Sequence, residues 1–290
     1  MKHKGLTLHG RKALIGSIFV LPWIVGFLIF TLYPIVYSVS LSLNEVAMST
    51  ETGIQLTWRG FDFYYEALQV DTTFVTTLGN NMLFICCATP IILVFSLIIA
   101  ILLNKHFPGR TFFRVLFFLP VIIMSGSVIQ KLLGSYSMNF ATMSETIYNF
   151  LRTLPEFLRK PIFFALENLV LILWYSGVQI LLFLAALQKV GGSLYEAAEI
   201  DGAGAWQKFW KITLPHVKPM ILLNAIYTVM EIANSATNAV AGKISEHMFE
   251  VNRPFSFSAA MSWIYFLAVC GLLVLIVILF GGREKNEKKA

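Results

Sequence analysis

Long apolar runs alternate along this chain with polar segments of unequal length. The runs cover about 13–41, 77–103, 112–134, 162–188, 218–240 and 258–281. At 1.5 Å per residue, each is long enough to cross the ~30 Å hydrocarbon core of a bilayer as a helix. The pattern predicts an all-α fold, a polytopic membrane bundle of six transmembrane helices. It divides the chain into a leader (1–12), a transmembrane domain (13–281) and a tail (282–290), with a polar loop at 189–217 between the fourth and fifth runs. The first run is too long for a signal-peptide core and no small-residue cleavage site follows it, so it is read as a retained helix.

Composition agrees with this class. Hydrophobic residues make up 57% of the chain and charged residues only 13%, more oil than a soluble core uses. Charge then sets the orientation, because cationic loops are retained on the cytoplasmic side. With the N-terminus inside, Lys2, Lys4, Arg11, Lys12, Lys105, Arg110, Arg114, Lys189, Lys208, Lys211, Lys218, Arg283, Lys285, Lys288 and Lys289 all fall in cytoplasmic segments. Arg59, Lys131, Arg152, Arg159, Lys160, Lys243 and Arg253 fall outside or at the outer ends of spans, together with most of the acids. Both termini and the 189–217 loop are therefore expected in the cytoplasm. The net charge of +6 follows from the same bias, and nucleic acid is not an expected partner. Cys86, Cys87 and Cys270 lie in apolar runs, and the five histidines are scattered without ligand spacing, so neither a disulfide framework nor a metal site is expected.

Two outer segments stand between runs. Residues 44–73 are polar and acidic, and are expected to form a short cap over Trp58, Phe61, Tyr64 and Tyr65; residues 135–161 carry Pro155 and Pro161 around a basic patch. They read as interfacial loops with an aromatic belt, or as a docking surface for an extracytoplasmic protein.

The 189–217 loop carries the most specific pattern. Ser193-x-x-Glu196 reads as a capping box opening a short helix. Ala197 and Ala198 give that helix a slim face that can sink into a partner's groove. Asp201-Gly202 stops it, glycine being free to take positive φ. Ala205, Trp206, Phe209, Trp210 and Ile212 then place apolar groups at helical spacing, and Pro215 and Pro219 are expected to end the segment and set the start of the fifth span.

The spacing from Glu196-Ala197-Ala198 through Gly202 to Ile212, Leu214 and Pro215 closely resembles the EAA loop of ATP-binding-cassette importer permeases. Leu21-Pro22-Trp23, Tyr33-Pro34, Leu41-Ser42-Leu43-Asn44, Phe113-Arg114 to Leu119-Pro120 and Ala259-Ala260-Met261-Ser262 extend the resemblance over most of the chain, toward the carbohydrate-type permeases of the maltose and glycerol-3-phosphate transporter families. The resemblance implies a type I importer permease fold in a prokaryotic cytoplasmic membrane, in contact with lipid. It implies that Glu196, Ala197, Ala198, Asp201, Gly202, Ala203, Phe209, Ile212, Leu214 and Pro215 couple to an ATPase. Its implied partners are a second, homologous permease in a heterodimer, two copies of an ABC ATPase, an extracytoplasmic solute-binding protein and a sugar substrate. The chain contains no Gly-x-x-x-x-Gly-Lys-Ser/Thr stretch, so it is expected to be no enzyme and to bind no cofactor, with ATP and Mg on the partner ATPases.

The chain departs from the family in one place. Members commonly carry an aspartate within the fifth span and a Thr-x-Gly-Gly-Pro turn after it, whereas this chain has Glu231 and then Ser235-Ala236-Thr237-Asn238-Ala239-Val240-Ala241-Gly242.

The resemblance implies a substrate cavity between two permeases, lined by the spans that flank the loop. Counting along those spans puts Glu231 and Trp174 at similar depth, and a carboxylate there should face a wet cavity or a partner. Trp174, Tyr175, Glu231, Asn234 and Ser235 form the candidate set, with Ser125 and Ser127 as additions from the third span. Two other solutes or mechanisms compete with a sugar importer. One is import of glycerol phosphate or another small polar solute; the other is a proton-coupled carrier titrating Glu231, which leaves the loop unexplained. An intramembrane enzyme would need His-Glu or Ser-His pairs at depth, and none is found.

Overall fold

In the computed structural model of the protein, the structure describes residues 8–49, 53–105, 107–122, 149, 151, 153–248 and 255–281. They are helical except for one hairpin and short connections, and they divide into two compact units. One unit spans Met1–Val75 and Lys243–Ile264; the other spans Thr76–Gly242 and Tyr265–Ala290.

The first unit opens with a helical rod, α1 (Leu8–Phe27), a π-helical turn (Leu28–Leu32) and α2 (Tyr33–Leu43). It begins inside the predicted leader. Phe19 and Phe30 are 80% exposed, as a helix solvated by lipid would leave them. The wide turn has a local cause. Pro34 lacks an N–H and its ring crowds the carbonyl of Phe30 four residues back; the turn's Tyr33 N–H to Leu28 O bond opens the helix there. An antiparallel hairpin follows, β1 (Asn44–Ser49) with β2 (Gly53–Trp58), pairing Val46 with Leu56 and Glu45 with Thr57. The hairpin lies in the 44–73 segment, where only a short cap was expected, and its second strand alternates apolar and polar residues over Ile54–Trp58.

Beyond it, α3 (Asp62–Tyr65) and a second π turn (Glu66–Val70) lead to Asp71, whose Oδ1 accepts from the Phe74 N–H at 3.0 Å and caps the next helix. The expected aromatic packing is not found. Trp58, Phe61 and Tyr65 are each about 70% exposed; only Tyr64 turns inward, its hydroxyl 2.7 Å from Ser42 Oγ.

The second unit holds most of α4 (Thr72–Asn104), α5 (Arg110–Ile122), α6 (Glu156–Glu167), α7 (Leu169–Tyr175), α8 (Gly177–Gln188), α9 (Gly192–Ile200), α10 (Ala205–Lys208), a π turn (Phe209–Thr213) and α11 (Leu214–Ala233). The helices α12 (Ala239–Met248) and α13 (Phe255–Gly281) each lie partly in both units. The core centres on α8, packed against α11 and α5, with Ile85, Ile92, Tyr175, Ile180, Phe183, Val217, Val229 and Ile232 all buried.

The predicted fourth run is not one straight helix. It breaks at Asn168 and bends by 49° between α7 and α8, where Ser176 Oγ donates back to the Leu173 carbonyl at 2.8 Å beside Gly177. The fifth run ends at Ala233, seven residues before its predicted end at 240, because Asn234 and the following turn close the helix. Among the described residues, Gly16–Leu43, Thr72–Asn104 and Phe255–Gly281 are long and apolar enough to cross a membrane, and the bent α7–α8 pair counts as a fourth if it forms one span.

Candidate functional site

The polar loop folds as two helical pieces joined by a tight turn. The Gly202 N–H donates to Glu199 O at 3.0 Å and the Ala203 N–H to Ala198 O at 2.8 Å, the paired bonds of a Schellman motif. Gly202 sits at φ +76°, as Asp201-Gly202 predicts. The capping box does not form. The first helix begins earlier, at Gly192 after an extended Gly191, with no side-chain cap; the Leu194 N–H bonds to the Gly191 carbonyl at 3.1 Å. Two successive glycines let the backbone enter the helix before Ser193 is reached.

Pro215 and Pro219 do not interrupt the chain either. α10, the π turn and α11 form one continuous rod from Ala205 to Ala233. The device seen at Pro34 recurs: Leu214 N–H bonds to Phe209 O, and Lys211, whose carbonyl Pro215 would crowd, lies inside the widened turn.

Side chains that the sequence reading did not single out lock α9 onto this rod. Tyr195 Oη lies 2.9 Å from Thr213 Oγ1, and Lys208 Nζ lies 2.5 Å from Glu199 Oε1. Gln207 Oε1 accepts from the Gly204 N–H at 3.2 Å. Glu196, Ala197, Asp201, Gly202 and Pro215 are exposed, while Ala198, Ala203, Phe209, Ile212 and Leu214 are half-buried. The slim alanine face is thus open, flanked by Ile200, 88% exposed, and Trp206, 73% exposed. Trp206 and Trp210 meet edge to face at 5.5 Å. The loop, pinned by its own hydrogen bonds, thus leaves Ile200, Trp206 and Trp210 exposed together.

A polar cavity of about 450 Å³ lies elsewhere in the same unit. Its walls are Thr77, Asn80, Asn81 and Phe84 from α4, Asn168, Leu171 and Tyr175 from the broken fourth run, and Ile232, Thr237, Asn238 and Ala239 at the end of the fifth. Of the candidate substrate residues, Tyr175 lines it. Tyr175 is buried, and its hydroxyl donates to Ser235 Oγ at 2.8 Å and lies 3.3 Å from Thr237 Oγ1. Asn238 replaces the missing glycine turn with side-chain chemistry. Its Oδ1 accepts from the Val240 and Ala241 N–H groups, capping α12, while its Nδ2 reaches Ala233 O at 2.7 Å and Tyr265 Oη at 2.5 Å.

Trp174, Glu231 and Asn234 do not line this cavity, and Ser235 meets its wall through Tyr175 and Thr237. Trp174 is buried with Nε1 unpaired, and the exposed Asn234 returns its amide to Met230 O. Ser125 and Ser127 lie outside the described residues. Glu231 belongs to a ladder between α8 and α11: Gln179 Nε2 donates to Glu231 Oε2 at 2.9 Å and to Thr228 Oγ1 at 3.0 Å, and Asn224 Nδ2 reaches Gln179 O at 3.4 Å. Gln179, Asn224 and Thr228 are fully buried. A lone Gln within an apolar run, and the Asn80-Asn81 pair opening the second, were the signals for these residues, since polar groups inside spans must find partners. Among the described residues, no three His, Cys, Asp or Glu side chains are placed to hold a metal ion.

Residues 72–289 match the family described as "Binding-protein-dependent transport system inner membrane component". The chain is 30% identical over 230 residues to the arabinooligosaccharides transport system permease protein AraP of Halalkalibacterium halodurans, covering 77% of this chain and 70% of that one. It is 29% identical over 300 residues to the lactose transport system permease protein LacF of Rhizobium radiobacter, covering 93% and 95%. A crystal structure of a bacterial alginate ABC transporter, in complex with an alginate pentasaccharide-bound periplasmic protein, contains a chain that superimposes with a TM-score of 0.59 at 20% identity, over 92% of this chain and 93% of that one. At that identity the likeness concerns the fold. The chain belongs to the binding-protein-dependent transport system inner membrane components, as a permease subunit of an ABC transporter.

Proposed function

We propose that this chain is one of two homologous permeases in an ATP-driven, binding-protein-dependent importer of sugars, and that it works by alternating access. It crosses a prokaryotic cytoplasmic membrane six times with both termini inside. It binds no cofactor; ATP and Mg belong to two ATPase subunits. Those subunits grip the 189–217 loop, and their closure and reopening turn the cavity outward and inward.

The observation that carries this reading is the loop itself, an exposed alanine and aromatic face held in one geometry by the Gly202 turn and the Tyr195–Thr213 contact. Lactose and arabinooligosaccharides in the relatives' names support the sugar class.

Glu196→Lys tests the reading, since it places a cation on the exposed first helix without touching a buried residue. The chain should still insert in the membrane, while recovery of the ATPase with it and ATP-dependent uptake both fall. Wild-type uptake and full recovery of the complex in that variant defeat the assignment.

A further inference from the structure

Among the described residues, no carboxylate, amine, guanidinium or imidazole lines the polar cavity; amides and hydroxyls do, with Phe84, Leu171 and Ile232 as apolar wall. Its volume, about 450 Å³, lies in the ~300–1,000 Å³ range of small-molecule sites.

The amides differ in what they have left to give. Asn238 is spent on the α12 cap, Ala233 O and Tyr265. Asn168 donates its Nδ2 to Phe164 O at 2.9 Å, which leaves Oδ1 as an acceptor. Asn81 Oδ1 lies 3.4 Å from Tyr265 Oη, which shares its one proton with Ala233 O at 3.1 Å, and Asn81 Nδ2 is left as a donor. Asn80, on the exposed side of α4, can offer both ends of its amide. Residues that keep donors and residues that keep acceptors therefore line the same space. A hydroxyl both gives and takes a hydrogen bond and satisfies such a mixed set. A carboxylate or phosphate only accepts. Against Asn168 Oδ1 it would meet a lone pair, with no cation among the described lining residues to offset its desolvation.

We propose that this cavity is a subsite for an uncharged glycosyl unit, read by the amides of Asn80, Asn81 and Asn168, and that it selects against carboxylated and phosphorylated sugars. The inference rests on the importer reading above and narrows its substrate class.

The test uses the complete transporter in its native cells, with a strain lacking this chain as reference. Labelled lactose and arabinotriose, a series of other neutral oligosaccharides, a uronate disaccharide and glycerol 3-phosphate are compared for uptake that depends on the chain. Only uncharged sugars should enter. For the sugar that does, Asn80→Ala and Asn81→Ala should each raise KM roughly two- to tenfold, the effect of losing one neutral hydrogen bond, with the complex recovered in normal yield. Chain-dependent uptake of the uronate or of glycerol 3-phosphate on a par with a neutral sugar overturns the subsite and leaves the importer standing. Unchanged KM in both variants also overturns it. A chain whose loss affects uptake of no sugar, and which co-purifies with no ATPase, overturns both readings together.

Discussion

Replacing Gly202 offers a quantitative test of the loop, because its cost is confined to the backbone. The residue sits at φ +76°, and a Cβ added there meets nothing within 4 Å. Sterics with neighbouring side chains therefore drop out of the comparison. What remains is the left-handed conformation, which costs a non-glycine L-residue roughly 1–2 kcal/mol.

The loop is exposed, so in the free permease Gly202→Ala can relax into another turn, giving up the Schellman bonds to Glu199 and Ala198. On the importer reading, docking to the ATPase restores the turn, so that penalty appears in affinity. A cost of 1–2 kcal/mol corresponds to about a five- to thirtyfold weaker complex. Gly202→Asn should lose less, since asparagine tolerates this region. Gly204→Ala is the control: Gly204 has φ −68°, and its added Cβ also meets nothing within 4 Å. Purified ATPase titrated against the permease in nanodiscs gives the four affinities. Equal affinities for Gly202→Ala and Gly204→Ala would refute the reasoning, since the two sites differ in the sign of φ.

Two further perturbations probe the unit behind the loop. Gln179→Leu removes the amide that serves Thr228 and Glu231 and leaves a half-buried carboxylate without its donor; the thermal midpoint of the detergent-solubilised chain should fall, consistent with a loss of about 1–3 kcal/mol, and an unchanged midpoint argues against the ladder. Asn238→Ala removes the cap of α12, worth about 0.5–2 kcal/mol, and should speed amide hydrogen exchange at Val240 and Ala241 while leaving exchange in α9 unaltered.

How much of this was legible depended on the range of the interaction. Asp201-Gly202 announced its turn because a Schellman motif is closed within six residues and needs only a residue that accepts positive φ. The bend at Ser176-Gly177 had a local cue too, but an apolar run hides it: periodicity reports which face is buried, not where the axis changes direction. The capping box failed for the opposite reason. Its pattern was present at Ser193, but Gly191 and Gly192 offered an earlier entry to the helix, and the competition was decided by backbone freedom. Tyr195 and Thr213 are eighteen residues apart and Gln179 and Glu231 fifty-two, so their pairing waits on the packing of helices. The cavity was the least legible feature. Asn80, Asn168 and Thr237 come from three separate segments, and no spacing along the chain places them on one wall.

The continuous rod from Ala205 to Ala233 joins the loop to the cavity wall. Its twenty-nine residues run about 43 Å at 1.5 Å each. The rod is softest at the π turn, where Pro215 removes a hydrogen bond and the helix is locally widened. A push on α10 alone would be absorbed there. Tyr195 avoids this, because its partner Thr213 is the last residue of the π turn, on the side joined to α11. Motion of α9 is therefore handed to the α11 end of the turn, from which the helix runs on through Pro215 and Pro219 to Ala233. At the far end that helix carries Thr228 and Glu231, tied through Gln179 to α8, and Ile232, which forms part of the cavity wall. On the importer reading, the ATPase needs no contact with the cavity to reshape it: a displacement of the exposed alanine face reaches Ile232 through one hydroxyl pair and about five turns of continuous helix, which carries Pro219 in its first third.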